Sequence, residues 1–283
     1  MKTKVWFITG ASRGFGLEIA KAALANGDKV VATVRSQPEK LQRVLNNDNL
    51  YVVLLDVTNE DQARQAARQA VERFGRIDVL VNNAGFGLLG AVEEASDEEV
   101  RQSFDTNVFG LLHVTRAILP YFRAQHSGHV INLSSVVGLT ATAGWGLYAA
   151  TKFAVEGINE ALAVELKPLG IHVTAVEPGF FRTNFLDGSS LTAAKAVIAD
   201  YQDTAGQMRA FASQISYKQP GDPVKLANAV MSLAASPKPP VHLPLGNDTL
   251  NYFNQKMEQF NQEIEEWRSV TTSTDHEDVK QNG

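Results

Sequence analysis

The sequence predicts an α/β protein: a doubly wound parallel sheet with helices on both faces. It is expected to form one domain over residues 1–246, followed by a C-terminal helical extension over 247–270. Three observations carry this prediction. Short apolar runs alternate with helix-spaced amphipathic runs from Val5 to Val176. The apolar runs are nearly continuous, as expected for strands covered on both faces. A Gly-rich turn joins the first of them to the first helical pattern, which opens a βαβ unit.

Taken in order, Val5 to Ile8 reads as a buried strand and Thr9 to Gly16 as the Gly-rich turn. Leu17, Ile19, Ala20, Ala23 and Leu24 mark a helix that stops at Asn26-Gly27. Lys29 to Val34 is a second strand, and Leu50 to Leu55 a third that ends in Asp56. Thr58 or Asn59 caps a helix running to Phe74, with Gly75 as its stop. Asp78 to Val81 is a strand ending in Asn82-Asn83-Ala84-Gly85. Ser96-Asp97-Glu98-Glu99 is a capping box for a long helix through Asn107 to about Arg123. Val130 to Leu133 is a strand, Tyr148 to Leu166 a helix, and Ile171 to Val176 a strand broken at Pro178-Gly179. Beyond Thr183 the pattern loosens. Ser190 to Ser213 reads as one bent helix or two, Pro223 to Ala235 as a helix, and Val241 to Leu243 as a last short strand.

Leu250, Phe253, Met257, Phe260, Ile264 and Trp267 form an apolar stripe at helical spacing. Packing of this helix on its own domain is the first expectation, and a dimer contact the second. Its polar face is acidic, which argues against a membrane-surface helix. Residues 271–283 are polar and aperiodic and are expected to be disordered.

Of the 283 residues, 44% are hydrophobic and 20% charged, ordinary values for a globular protein. The net charge of −5 points away from nucleic acid. No Cys is present, which excludes disulfides, thiolate catalysis and Cys-ligated metal, and no metal site is expected. The first apolar run is too short for a secretion signal, and none reaches membrane-spanning length. A soluble cytoplasmic protein is the expectation.

Three groups in the second half carry chemistry. Tyr148 and Lys152 lie four apart at the start of a helix, so phenol and ammonium share one face. Ser135 arrives from the end of a strand, thirteen residues before Tyr148. A phenol titrates near 10, too high for efficient acid–base work at neutral pH, and a nearby ammonium would lower it. A serine hydroxyl can hydrogen-bond an oxygen on which charge develops. The turn Gly10-x-x-x-Gly14-x-Gly16 sits between strand and helix, where backbone N–H groups and the helix N-terminus can meet a pyrophosphate. The second strand ends in Thr33-Val34-Arg35, without the acid that binds a ribose 2′-OH, and Arg13 lies in the turn. Two cations and no carboxylate favour a 2′-phosphate.

With these residues together, the chain resembles the short-chain dehydrogenases/reductases of the compact, single-domain branch. The matching motifs are Thr9-Gly10-x-x-x-Gly14-x-Gly16, Asp56, Asn82-Asn83-Ala84-Gly85, Asn107, Ser135, Tyr148-x-x-x-Lys152, and Pro178-Gly179 with Thr183. The resemblance implies a Rossmann-type fold and NADP(H)-dependent hydride transfer between nicotinamide and a carbonyl or secondary alcohol. It implies that Tyr148 is the general acid or base, that Lys152 binds the nicotinamide ribose and lowers the phenol pKa, that Ser135 positions the substrate oxygen, and that Asn107 holds a relay water. By the same resemblance Gly10, Ser12, Arg13, Gly14, Phe15, Gly16 and Arg35 hold the phosphates, and Asp56 and Val57 the adenine. Asn83, Ala84 and Gly85 would line the ribose, and Pro178, Gly179, Phe181 and Thr183 the carboxamide. The substrate pocket is expected from Phe86, Ser135, Leu139, Trp145, Tyr148, Phe181 and Phe185, with the variable stretch 181–215 covering it. That apolar, aromatic lining suits a hydrophobic ketone or aldehyde as small-molecule partner.

The chain ends in Leu245-Gly246-Asn247-Asp248 and a long helix, which is more similar to 17β-hydroxysteroid dehydrogenase-like members. A homo-oligomer follows, with a dimer favoured over a tetramer. Two alternatives remain. One is a non-catalytic NADP(H)-binding regulator with the same fold. The other is an epimerase or dehydratase that also uses Tyr-x-x-x-Lys, although its fuller C-terminal domain is lacking here. Arg35→Asp is expected to shift the NADPH/NADH preference about tenfold toward NADH, ~1.4 kcal/mol. Dissociation constants for both cofactors check this, and an unchanged ratio contradicts the assignment.

Overall fold

A computed structural model describes residues 3–188 and 190–276. The first half runs β1 (Val5–Ile8), α1 (Gly14–Ala25), β2 (Lys29–Val34), α2 (Pro38–Leu45), β3 (Leu50–Leu54), α3 (Glu60–Phe74), β4 (Val79–Asn82) and β5 (Gly87–Leu89). Next come α4 (Asp97–Phe104), a wide π-turn over Asp105–Phe109, α5 (Gly110–Gln125), β6 (Gly128–Leu133), α6 (Gly146–Leu166) and β7 (Ile171–Pro178). The chain ends with β8 (Leu191–Ala193), α7 (Gln207–Ile215), α8 (Pro223–Ala235), β9 (His242–Leu245) and α9 (Asn247–Thr272).

Seven strands form one sheet in the order β3-β2-β1-β4-β6-β7-β9, and every pairing is parallel. This is a Rossmann-type α/β fold. Strand alternation sends Trp6 and Ile8 to one face and Phe7 to the other. On the first face they pack with Ile19 and Ala23 of α1, Leu41 of α2 and Leu226 and Val230 of α8. On the second, Phe7 and Leu80 pack with Ala66 and Ala70 of α3 and Ile118 and Phe122 of α5. The strand order reverses between β1 and β4, so the loops after these strands diverge and leave a crevice at their C-terminal ends.

The local signals act as the sequence implied. Asn59 caps α3 by accepting from the Gln62 N–H at 3.0 Å, and Gly75 ends it at φ 80°. Ser96 and Glu99 form both halves of the capping box of α4. The long helix through Asn107 is interrupted there by the π-turn.

Two expectations are corrected, and one helix is new. Residues 190–213 do not begin as a helix: Leu191–Ala193 pairs with Gly87–Leu89 in a second, two-stranded sheet, and the regular helix is confined to α7. Three-residue runs of this kind gain strand geometry only from their partner. The α2 turn was not foreseen; Pro38 at its first position starts it. The apolar stripe of α9 does not pack on the rest of the chain: its six residues remain 37–63% exposed. Only the first turn is anchored, through buried Thr249, whose hydroxyl donates to Leu245 O at 2.9 Å. The helix runs to Thr272, two residues past its expected end, and 277–283 lie outside the described residues. No described helix is long and apolar enough to cross a membrane.

Candidate active site

The crevice begins at the Gly-rich turn. Gly10 and Gly14 take φ values of 64° and 56°, which favour glycine. A Cβ on Gly16 would stand 2.5 Å from Asn83 Nδ2 and 2.6 Å from Gly10 O. The Asn83 amide donates to Thr9 O at 2.9 Å and Gly10 O at 3.0 Å, and the Thr9 hydroxyl accepts from the N–H groups of Asn83 and Ala84. The loop after β4 thus clamps the loop after β1. The α1 N-terminus has no side-chain cap and no acidic residue in its first turn, so its N–H groups and positive end face the crevice unmasked.

A groove of about 800 Å³ runs from this turn, lined by Gly10, Ser12, Arg13, Gly14, Phe15, Arg35, Asp56, Val57, Asn83, Ala84, Gly85, Phe86 and Thr183 among others. Arg35 is exposed at its rim, and Arg13 Nε donates to Ser190 Oγ at 3.1 Å. The Asp56 carboxylate accepts from the Thr58 N–H at 3.0 Å and from its hydroxyl at 2.8 Å, so it also fixes its own turn.

At its inner end the groove adjoins a cavity of about 130 Å³ lined by Ser135, Tyr148 and Lys152. Phe15, Trp145, Pro178, Gly179, Phe180, Phe181, Phe185 and Leu186 close it with aromatic and apolar surface. Ser135 follows β6, and Tyr148 and Lys152 project from the first turns of α6, so the sequence trio does converge. The Tyr148 ring stands 5.7 Å from Trp145 and 5.5 Å from Phe185 by centroid. Lys152 Nζ donates to Leu133 O at 2.7 Å and lies 5.7 Å from the Tyr148 ring centroid.

Burial governs the charges here. It pushes the Tyr148 phenol above its ordinary range, and a hydrogen bond with the Ser135 side chain partly opposes this. It also pulls Lys152 down to about 8, against the attraction of Glu156. Among the chain's own groups, therefore, Ser135 favours the phenolate, and the lowering expected from Lys152 is not among the effects acting on Tyr148.

Asn107 is buried in the π-turn. Its amide donates to Phe86 O at 2.9 Å and Thr151 Oγ1 at 3.1 Å, and its Oδ1 accepts from the Phe86 N–H at 3.0 Å. Asn107 thus locks the loop after β4 onto α6. Two residues expected in the substrate pocket lie elsewhere. Phe86 lines the groove, its backbone held by Asn107. Leu139 is outside the cavity because the 3₁₀ turn Val136–Gly138 turns Val137 inward instead.

The sequence reading missed Gln219. Its side chain is buried in the cavity wall, and neither amide atom has a hydrogen-bond partner within the protein. It also missed Asp248, whose carboxylate accepts from the Phe180 N–H at 2.7 Å and fixes the segment after Pro178. The only hint was that Asp248 opens a helix after Gly246. Glu94, likewise missed, is buried and takes Arg209 Nη1 at 2.6 Å and the N–H groups of Ala91 and Ile198. The Arg209 hydrogen bond above all holds its carboxyl down to about 2.

A family model described as short chain dehydrogenase matches residues 4–194, two-thirds of the chain. The chain belongs to the short-chain dehydrogenase/reductase family. It is 38% identical over 275 residues to oxidoreductase BOA17 of Botryotinia fuckeliana, covering 96% of this chain and 99% of that one. It is 38% identical over 247 residues to a 3-ketodihydrosphingosine reductase of Bacteroides thetaiotaomicron, covering 87% and 89%. A short-chain dehydrogenase crystal structure from Streptomyces avermitilis superposes with a TM-score of 0.90 at 39% identity, over 97% of this chain and 100% of that one. ElxO, solved with NADP bound, gives a TM-score of 0.73 at 28% identity, over 88% and 100%. The chain is therefore an oxidoreductase of this family.

The depressed value of Lys152 sets a pH signature. The folded protein releases this proton near pH 8, while the unfolded chain keeps it to 10.5. Between these values the unfolded chain binds more protons, so stability rises with pH. Relative to Lys152→Met, the wild type should gain about 1 kcal/mol per pH unit between pH 8 and 10. Urea unfolding at each pH reads this, and a constant difference contradicts it.

Proposed function

We propose that this chain is an NADP(H)-dependent oxidoreductase that moves a hydride between nicotinamide and the carbonyl carbon of a hydrophobic ketone or aldehyde. The observation that carries the reading is the convergence of Ser135, Tyr148 and Lys152 where the Gly-rich groove meets an aromatic cavity. A nicotinamide dinucleotide fits that groove: the cradle that a Cβ at Gly16 would fill and the uncapped α1 N-terminus suit its pyrophosphate. Arg13 and Arg35 on the lining suit a 2′-phosphate. The bound cofactor supplies or accepts the hydride.

The chain's own groups do the rest. Tyr148 keeps its proton at neutral pH because it is buried, which is the form that reduction of a carbonyl requires. It delivers that proton to the substrate oxygen. Ser135 holds the oxygen and, through its bond to Tyr148, eases loss of the proton. Lys152, at about 8, is still charged at pH 7 and favours the phenolate as it forms. In this reading it also grips the nicotinamide ribose, and Asn107 supports a relay water beside it. Pro178, Gly179, Phe181 and Thr183 hold the carboxamide.

The cavity of about 130 Å³ is near the size that holds one benzene ring, about 150 Å³. It takes the reacting end of a substrate, and 181–215 covers the remainder. Gln219 gives this apolar wall one hydrogen-bonding group. A relative named as a 3-ketodihydrosphingosine reductase supports a ketone on an apolar body, and steroid-like or retinoid-like ketones follow from the resemblance. The same reading has a cytoplasmic homo-oligomer, with the bare stripe of α9 as the surface available for a dimer.

Tyr148→Phe should lower NADPH oxidation about 10²–10⁴-fold while leaving NADPH binding nearly intact. Steady-state rates and fluorescence titration check the two halves. Retained turnover would sink the mechanism, and tight NADPH binding with no turnover of any carbonyl by the wild type would mark a binding protein.

A further inference from the structure

One helical turn beyond Lys152, α6 directs Glu156 into a buried cluster that the reaction above does not use. Glu177 joins it from β7 and His242 from β9. Glu177 is fully buried and Glu156 is 6% exposed, yet both oxygens of Glu156 and Oε2 of Glu177 have no hydrogen-bond partner within the protein. The buried hydroxyl of Ser134 borders the Glu156 carboxylate, since both would crowd a Cβ placed on Gly138, and is its polar neighbour on that side.

The donor atoms are already spaced as ligands. His242 Nδ1 lies 2.9 Å from Glu177 Oε1 and 3.4 Å from Glu156 Oε2, and one donor from each residue falls within 4.8 Å of the others. A cation with nitrogen and oxygen ligands at about 2.0–2.2 Å holds neighbouring ligands roughly 3.0–3.5 Å apart. On the outward side the exposed Glu160 Oε1 lies 3.6 Å from His242 Nε2, within ion-pair range but beyond a hydrogen bond. An outer carboxylate on that side orients a metal-bound imidazole. His242 is half-exposed, which gives an entry path. Two buried carboxylates facing one imidazole are costly to keep charged, and a cation or their own protons must offset them. Lys152 donates to Leu133 O and acts on Glu156 through space, with no hydrogen bond between them.

We propose that Glu156, Glu177 and His242 bind one divalent cation of the zinc class, tying α6 to strands β7 and β9. One imidazole nitrogen and two carboxylate oxygens, with the fourth position open to water, suit zinc better than magnesium, which prefers all-oxygen octahedra. No ligand motif marks these three residues, which stand 21 and 65 positions apart in the chain. The proposal does not depend on the nicotinamide reading.

Isothermal titration calorimetry of the untagged, chelator-stripped full chain with Zn²⁺ at pH 8 tests it. One equivalent should bind, more tightly than Mg²⁺, and raise the melting temperature. His242→Gln and Glu177→Gln should each weaken binding tenfold or more, roughly the loss expected even for an outer-shell partner. His242 is half-exposed, so its variant decides the question if Glu177→Gln fails to fold. No saturable Zn²⁺ binding would overturn the proposal. So would binding unchanged by His242→Gln, which would put the cation on surface carboxylates.

Discussion

The active site depends on how α6 is docked against the end of β6. Ser135 follows the strand, and Tyr148 and Lys152 ride the helix, so their geometry is only as good as that joint. Two buried hydrogen bonds hold it: Lys152 Nζ to Leu133 O at 2.7 Å and Asn132 Nδ2 to Asn159 Oδ1 at 3.1 Å. The second belongs to a polar chain across the fold. Asn82 Nδ2 donates to Asn132 Oδ1 and Thr115 Oγ1, both at 2.9 Å, and Asn159 Nδ2 donates to Val241 O at 3.1 Å. Strands β4 and β6, helices α5 and α6 and the residue before β9 are thereby tied together through the buried side chains of Asn82, Asn132 and Asn159.

A second brace sets the cofactor side. The loop after β4 is held at both ends, by Asn83 on the Gly-rich turn and by Asn107 on Phe86. Asn107 reaches it from a π-turn, a local irregularity of the kind that gathers at functional positions. The groove and the trio are therefore parts of one network, and the aromatic wall of Trp145, Phe181 and Phe185 closes over the point where they meet.

Much of this was legible because it is local. Gly10 and Gly16 are required by a tight turn, Ser96 and Glu99 cap one helix, and Tyr148 and Lys152 share a face through helical spacing. What was hidden depends on residues far apart in sequence. Gln219 reaches the cavity because Gly221 pairs with Phe181, and Asp248 reaches Phe180 only once the start of α9 lies beside the segment after β7. Leu191–Ala193 becomes a strand only because Gly87–Leu89 lies beside it. Leu139 lies between Ser135 and Tyr148 in sequence, but the 3₁₀ turn Val136–Gly138 intervenes and Val137 lines the cavity in its place. The α9 stripe misled in another way: its periodicity identifies a helix with an apolar face, yet says nothing about what covers that face.

The central claim is hydride transfer to a carbonyl carbon within the aromatic cavity. The most direct measurement supplies NADPH deuterated at nicotinamide C4, one face at a time, with a panel of hydrophobic ketones and aldehydes. Mass spectrometry then follows the label. Deuterium from one face only should appear on the new carbinol carbon of at least one substrate. Tight NADPH binding with no label in any product would contradict the account.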